Sequence, residues 1–322
     1  MSASLGVGLI GSGKHGSRYA AHLRCDVPGL HLTAISRRGA DGARQAADWG
    51  CVWYPDWREL VHDPRVEAVI AVTLPVLNLE IARACARAGK ALLVEKPLAA
   101  DRAVGSEMLR RCDEAGIPLT VGQTLRYNEV ILGLREQLAA IGELQSFAAC
   151  QRLEPSPLPW HDVPAAAGAG VSIHTLVHVF DALRYVTGKN IRAVMASALC
   201  RHSQRLEDQV CALVELEDGV QGVVDGGKLG ASRCGRIELV GHLGQLQGDH
   251  IHHELELLHG NRRESLPLPP PGPTIVPLLR DWQRFLQGLG PNPVPGTEGL
   301  AALAACEACL TSSRSRAWEE VR

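Results

Sequence analysis

Leu5-Gly6-Val7-Gly8-Leu9-Ile10 runs directly into Gly11-Ser12-Gly13-Lys14-His15-Gly16, and this stretch decides the fold. The first six residues form a short apolar run with the character of a buried strand. Ser17-Arg18-Tyr19-Ala20-Ala21-His22-Leu23 follows with helical character. Glycines at 11, 13 and 16, set between a strand and a helix, have the spacing of a dinucleotide-binding turn. Gly11 permits the tight turn, Gly13 lets backbone approach a pyrophosphate, and Gly16 lets the helix sit close on the strand. The phosphates then lie at a helix N-terminus, where unpaired N–H groups and the helix dipole favour negative charge. The competing reading is a glycine turn used only for packing.

The residues that follow favour the nucleotide reading, because strands and helices alternate. Leu30 to Ser36 reads as a second strand, and Asp56 to Val61 starts a short helical stretch. Val66 to Thr73 reads as an apolar strand and Asn78 to Ala88 as a helix closed by Gly89. Ala91 to Val94 is another strand, Val104 to Ala115 a helix closed by Gly116, and Pro118 to Gly122 a last strand. Such alternation predicts a parallel sheet with helices on both faces. After about Gln123 the pattern changes. A helix is expected from Asn128 to Ala140, a strand from Gln145 to Arg152, and a helix from about Gly170 to Val186. Strand-like runs then follow at Ile191–Cys200, Gln209–Leu216, Val220–Asp225, Arg236–Leu239 and His252–Leu258. Consecutive strands predict an antiparallel or mixed sheet. Helices through Leu286 and from Gly299 to Arg314 end the chain. The expected organisation is α/β: a dinucleotide domain over residues 1–122 and an α+β domain over 123–322.

Composition narrows the function classes. The 322 residues are 46% hydrophobic and 21% charged, with 33 basic and 35 acidic side chains. No half of the chain is strongly basic, so neither nucleic acid nor an anionic membrane surface is an expected partner. The apolar runs, such as Val69 to Leu77, are too short to span a bilayer. No Lys or Arg precedes the first apolar run, unlike a secretory signal, and a cytoplasmic location is expected. Of the ten cysteines, only Cys306 and Cys309 have a suggestive spacing, and no second pair completes a four-thiolate site. They read as buried small hydrophobes in a helix. His250, His252 and His253 cluster in a strand or turn, with His250 and His252 on one face if it is a strand. No metal is expected there, because no carboxylate or thiolate at ligand spacing clearly joins them.

Two further stretches carry chemistry. An NAD site places an acidic residue about 20 residues beyond the glycine loop, on the ribose hydroxyls. Ser36-Arg37-Arg38 stands there instead. Two guanidiniums and a hydroxyl suit a 2′-phosphate, which favours NADP over NAD. The rival reading is solvated loop charge. Glu95-Lys96-Pro97 lies just past a strand end, where residues face the ligand crevice, and Lys96 there can stabilise charge developing on a substrate oxygen. In the helix after Gly168-Ala169-Gly170, His174 and His178 are four residues apart, and Asp181 continues the stripe. A histidine there can move a proton near neutral pH. Two histidines bonded in a core, or a zinc site of His174, His178 and Asp181, are the alternatives, and hydride transfer to nicotinamide needs no metal.

The chain resembles the glucose–fructose oxidoreductase, inositol dehydrogenase and rhizopine-catabolism (Gfo/Idh/MocA) family of NAD(P)-dependent oxidoreductases over nearly its whole length. The resemblance rests on the glycine turn, Thr73-Leu74-Pro75, and Ala88-Gly89-Lys90 leading to Val94-Glu95-Lys96-Pro97. It continues through Arg126-Tyr127-Asn128, Trp160, Gly168-Ala169-Gly170, and Gly299-Leu300 to Ser312-Ser313. It implies a Rossmann domain followed by a domain with a large, open, mostly antiparallel sheet, through which a homodimer or homotetramer would form. It implies sugar, cyclitol or polyol substrates, with Lys96 and a histidine at 178 as catalytic residues. His174 stands where members commonly carry aspartate, and Asn78 where many carry histidine. A second imidazole in place of a carboxylate alters the neighbour's titration, so substrate and pH optimum transfer less well than fold.

The candidate cofactor residues are then Gly11, Gly13, Lys14, His15, Gly16, Ser36, Arg37, Arg38, Thr73, Pro75, Asn78, Glu95 and Lys96. The candidate substrate residues are Asn128, Trp160, His174 and His178, with Lys96, His178 and His174 doing the chemistry. The expected activity is hydride transfer between nicotinamide and a sugar-like alcohol or carbonyl. A glycosidase-like reaction on a retained cofactor and a non-catalytic NAD(P) sensor are the alternatives.

Overall fold

A computed structural model describes residues 4–322. The chain condenses into two compact units. The first comprises Met1–Ala99, Ala103–Gly122 and Ile275–Leu300; the second comprises Ala100–Arg102, Gln123–Thr274 and Ala301–Arg322. A division at Gly122/Gln123 is present, but the first unit also takes a segment from far along the chain.

The first unit holds β1 (Leu5–Ile10), α1 (Gly16–Cys25), β2 (Leu30–Ser36), α2 (Asp41–Trp49), β3 (Val52–Tyr54), α3 (Trp57–His62) and β4 (Ala68–Ala71). It continues with α4 (Asn78–Ala88), β5 (Ala91–Glu95), α5 (Arg102–Glu114) and β6 (Leu119–Gly122). The strands form one parallel sheet in the order β3-β2-β1-β4-β5-β6, the doubly wound arrangement. All residues of β4 and β5 are buried, as expected for central strands covered on both faces. Local signals explain the helix limits. Asp56 accepts from the Arg58 N–H at 3.0 Å and starts α3, and Gly89 takes the left-handed conformation that ends α4. The late segment closes the sheet edge. The Val121 N–H donates to the Val294 carbonyl at 2.9 Å, and Asn292 Nδ2 donates to the Leu119 carbonyl at 3.0 Å. Trp282, on the late helix Ile275–Leu286, is fully buried.

The second unit contains α6 (Glu129–Gln137), β7 (Leu144–Leu153), a short α7 (Pro164–Ala167) and α8 (Val177–Thr187). Strands β8 (Ile191–Leu199), β9 (Gln209–Leu216), β10 (Gln221–Lys228), β11 (Cys234–Gly241), β12 (Gln245–Asp249), β13 (Glu254–His259) and β14 (Arg262–Ser265) follow. The late helix Ile275–Leu286 is α9 and belongs to the first unit, whereas α10 (Gly296–Ser315) runs from the first unit into the second. A final β15 (Glu319–Glu320) completes a nine-stranded sheet in the order β14-β13-β12-β11-β7-β10-β9-β8-β15. β7 and β10 pair in parallel and the other described pairs are antiparallel, so the expected mostly antiparallel open sheet is present. Its outer face carries an apolar row. Ala148 opposes Val223, Val223 opposes Leu213, and Leu213 opposes Met195.

Some expectations change. Sequence reading passes over α2, β3, β12, β14 and β15. Two of these are three residues or fewer, and β14 (Arg-Arg-Glu-Ser) is an exposed edge strand without an apolar residue. The stretch from His250 to His253 is the turn between β12 and β13, not a strand. Asp249 organises that turn, accepting from the Ile251 and His252 N–H groups and from the His252 ring. Among the described residues, no group of three or more His, Cys, Asp or Glu side chains is placed to hold a metal ion. Cys306 and Cys309 are fully buried, and all ten cysteines are free thiols. One helical run, Pro164–Thr187, has the length and apolarity to cross a membrane, contrary to the expected shortness of apolar runs. Its most apolar 18-residue window is 83% buried within the protein, as in a core helix.

Candidate functional site

The glycine turn has the geometry its spacing requires. Gly11 adopts φ +90°, and a Cβ there would lie 2.2 Å from the Val72 carbonyl oxygen. A Cβ on Gly16 would lie 1.9 Å from the Gly11 carbonyl oxygen, so the first turn of α1 is pressed onto the loop. Gly13 differs: a Cβ there would meet nothing within 4 Å. Two glycines are therefore needed for packing, while the third borders open space beside a helix N-terminus, which fits a pyrophosphate. Lys14 and His15 are exposed on this turn.

The glycine turn is tied to the Glu95-Lys96-Pro97 stretch. The His15 Nε2–H reaches Glu95 Oε1 at 2.8 Å, and the Tyr19 hydroxyl donates to the same oxygen at 2.5 Å. The Lys96 backbone N–H donates to Glu95 Oε2 at 3.0 Å. Burial pushes the Glu95 carboxyl up, but the His15 hydrogen bond and charge, Lys96 and Tyr19 outweigh it and hold it below its ordinary value. Burial pulls the Lys96 ammonium down, opposed by the charge of Glu95. Tyr19 is pushed well above its ordinary value, first by burial and then by Glu95. Tyr19 is a partner that the glycine spacing does not reveal.

Asn78, expected on the cofactor, is fully occupied elsewhere. Its side-chain amide donates to the Leu98 and Pro97 carbonyls at 3.0 and 3.4 Å, and its oxygen accepts from the Thr73 hydroxyl at 2.9 Å. Asn78 and Thr73 thus hold the backbone just past Lys96, and buried Pro75 opens the short turn between them. At the end of β2, Ser36 is buried and its carbonyl accepts from the Gly11 N–H at 2.9 Å. Arg37 bends back toward the Ser12 carbonyl at 3.4 Å and toward Asp41 at 3.3 Å, whereas Arg38 is exposed. Gln45 on α2, unforeseen from sequence, bonds the Ser12 hydroxyl at 2.7 Å.

In the second unit, a π-helical turn (Ser172–Leu176) precedes α8 and carries His174, while His178 lies in the first turn of α8. The turn is anchored. Glu207 accepts from the Gly170 N–H at 2.8 Å and the Ser172 N–H at 3.1 Å, and the Cys306 thiol donates to the Ser172 carbonyl at 3.1 Å. Asp181 forms a buried two-bond pair with Arg126 at 2.7 and 2.9 Å, which engages the carboxylate that the zinc reading needs. Asn128, expected on substrate, caps α6 by accepting from the Val130 N–H at 3.0 Å.

His174 does border a cavity of about 230 Å³, lined also by His161, His202, Glu207, Asp208 and Lys228. Trp160 packs edge-on against His174, with ring centroids 5.5 Å apart. His178 and Asn128 are not among the residues lining this cavity. One cavity wall is the loop after β8, held by two carboxylates. Asp208 accepts from the Arg201, His202 and Ser203 N–H groups at 2.6–2.7 Å. Asp162 accepts from the Gln204, Arg205 and Leu206 N–H groups at 2.9–3.1 Å. Sequence alone shows only two adjacent acids at 207 and 208, with no sign of these partners.

A doubly wound sheet whose glycine turn leads to an anchored Glu-Lys pair, accompanied by a second unit on an open sheet, defines a nucleotide-dependent oxidoreductase. Comparison with known proteins agrees. The family described as "Oxidoreductase family, NAD-binding Rossmann fold" matches residues 5–123, and the "GFO/IDH/MocA C-terminal domain" matches residues 134–247. The chain belongs to the Gfo/Idh/MocA oxidoreductase family and is an NAD(P)-dependent dehydrogenase or reductase acting on CH–OH groups. It is 25% identical to myo-inositol 2-dehydrogenase of Thermotoga maritima, covering 98% of this chain and 99% of that protein. It is also 25% identical to the NAD(+)-dependent scyllo-inositol 2-dehydrogenase of Bacillus subtilis, over 76% of this chain and 75% of that one. An NAD binding oxidoreductase from Klebsiella pneumoniae superposes with a TM-score of 0.87 at 26% identity, covering 99% and 100% of the two chains. Levoglucosan dehydrogenase in complex with NADH shares the fold with a TM-score of 0.90 at 23% identity, covering 99% of each.

Proposed function

We propose that this enzyme interconverts a secondary alcohol of a sugar or cyclitol and the corresponding ketone, with NADP as the preferred cofactor. The observation that carries this reading is the Glu95 carboxylate, which joins His15 of the glycine turn to the Lys96 backbone. It sets the lysine beside the loop whose Gly13 fits a pyrophosphate. When bound, the nicotinamide accepts or returns the hydride. Lys96 donates a hydrogen bond to the reacting oxygen and stabilises its developing charge. His178 takes the hydroxyl proton in oxidation and returns it in reduction. His174 positions the substrate, with Trp160 supporting its ring. The inositol dehydrogenases among the relatives support the substrate class. Arg38, exposed at the end of β2, supports the choice of NADP, with Arg37 already turned toward Asp41. A nicotinamide fluorescence screen of NADP and NAD against a panel of polyols and sugars tests both parts. Net NAD(P)H formation with a cyclitol or sugar is expected, and turnover without net change in nicotinamide would overturn the reading.

We also infer that the outer face of the nine-stranded sheet associates with a second copy of the chain. The row Met195, Leu213 and Val223 supports this, with exposures of 39%, 48% and 49%.

A further inference from the structure

The imidazole stack beside the cavity is not accounted for by the hydride chemistry. His161 and His174 lie parallel within 11°, with ring centroids 5.2 Å apart, and Trp160 packs edge-on against both. At the end of β10, Lys228 Nζ lies 3.4 Å from His161 Nδ1. An ammonium has three N–H donors and no lone pair, so the nitrogen it meets must be unprotonated. A His161 ring that accepts at Nδ1 carries its proton on Nε2 and is neutral. The partner ring is fixed in a similar way. His174 Nε2 lies 3.0 Å from the Ala167 carbonyl oxygen, which can only accept, so His174 Nε2 carries a proton and the ring's orientation is set.

The other titratable groups around the cavity are Asp162, Glu207, Asp208 and His202. The three carboxylates favour protonation of a nearby imidazole, but each already accepts hydrogen bonds from backbone N–H groups. Lys228 is the group in direct contact that opposes a charge on His161. A protonated His161 would put like charge against Lys228, and the two stacked rings could not both be charged without repelling each other; a low-dielectric cavity magnifies both repulsions.

We propose that Lys228 is a positioning residue that fixes His161 as the neutral, Nε2-protonated tautomer and so holds the stacked His174 in one charge state and orientation. This inference rests on the role of His174 proposed above, but the proton position can be measured without substrate. Long-range ¹H–¹⁵N spectra of the intact protein, with His161 assigned by its loss in His161→Gln, read both ring nitrogens directly. In the wild type, His161 is expected to show an unprotonated Nδ1 and a protonated Nε2 near neutral pH. In Lys228→Met, the His161 titration midpoint is expected to move up by about one pH unit, and Lys228→Arg should stay near the wild type. A proton on Nδ1 in the wild type, or an unchanged midpoint in Lys228→Met, would overturn the proposal. The wild-type spectrum alone decides the tautomer, so a variant that misfolds does not remove the test. The acid limb of kcat/KM on the substrate found in the screen should also move to higher pH in Lys228→Met and return in Lys228→Arg. A shifted titration with an unshifted kcat/KM profile would overturn the role of His174 while the tautomer assignment stands.

Discussion

Replacing Lys96 or His178 by alanine is expected to lower kcat by about 10²–10⁴-fold. Cofactor binding, read by nicotinamide fluorescence, should persist, and near-normal turnover in both variants would refute their roles. Arg38→Ala is expected to weaken NADP binding about tenfold and leave NAD nearly unchanged, as loss of one charge-assisted phosphate contact should. Equal effects on both cofactors in titrations would place the 2′-phosphate elsewhere. At this scale the sequence was legible where a residue's role is set by backbone shape, as at Gly11 and Gly16. It was misleading where a polar side chain could serve either ligand or backbone. Asn78 and Asn128 sit in the expected places, yet one holds the Pro97 and Leu98 carbonyls and the other caps α6. Asp181 likewise turned to a buried arginine 55 residues away, a partner that no local spacing reveals.

The glycine turn as an element gives a paired test. Gly13→Ala is expected to fold with an unchanged melting temperature but to lose nucleotide affinity, since its Cβ meets nothing but the space meant for the ligand. Gly16→Ala should lower the melting temperature even without ligand, because its Cβ would lie 1.9 Å from the Gly11 carbonyl oxygen. Equal melting temperatures for both would refute the division of labour. The loop after β8 gives a pH test. Burial raises the Asp208 carboxyl, but backbone N–H bonds from Ser203, Arg201 and His202 outweigh it and hold it below its ordinary value. Backbone bonds led by that from Leu206 lower Asp162. Carboxyls lowered in the folded state stabilise the loop above their unfolded value of about 4, and that contribution is lost as pH falls through the lowered folded values. Amide resonances of Arg201 to Leu206 should therefore hold steady from neutral pH and shift together only in acid below about pH 4. A shift centred near neutrality would refute the assignment to these carboxylates. Elements with clear periodicity and caps were legible almost to the residue, such as β2 and α4. Those lacking an apolar face, such as β14, were not, because tertiary pairing alone makes them strands.

For the whole molecule, Leu213→Glu with Val223→Glu is expected to yield a smaller species in sedimentation than the wild type, with the fold retained by circular dichroism. An unchanged sedimentation coefficient would exclude this face as the contact. The two-part architecture and both sheets were legible because alternating and consecutive strands leave different hydrophobic rhythms. The return of Ile275–Leu300 to the first unit was not, because a late helix carries no local mark of which sheet it will cover. That return has a consequence for synthesis. Strand β6 at the sheet edge receives its backbone partner, the Val294 carbonyl, only after 172 further residues have followed Gly122. On the ribosome the nascent nucleotide-binding fold therefore waits, with an unpaired edge, until nearly the whole polypeptide has emerged. A truncated message ending at residue 122 should give an aggregating, nucleotide-deaf fragment, and supplying residues 275–300 in fusion to it should restore solubility.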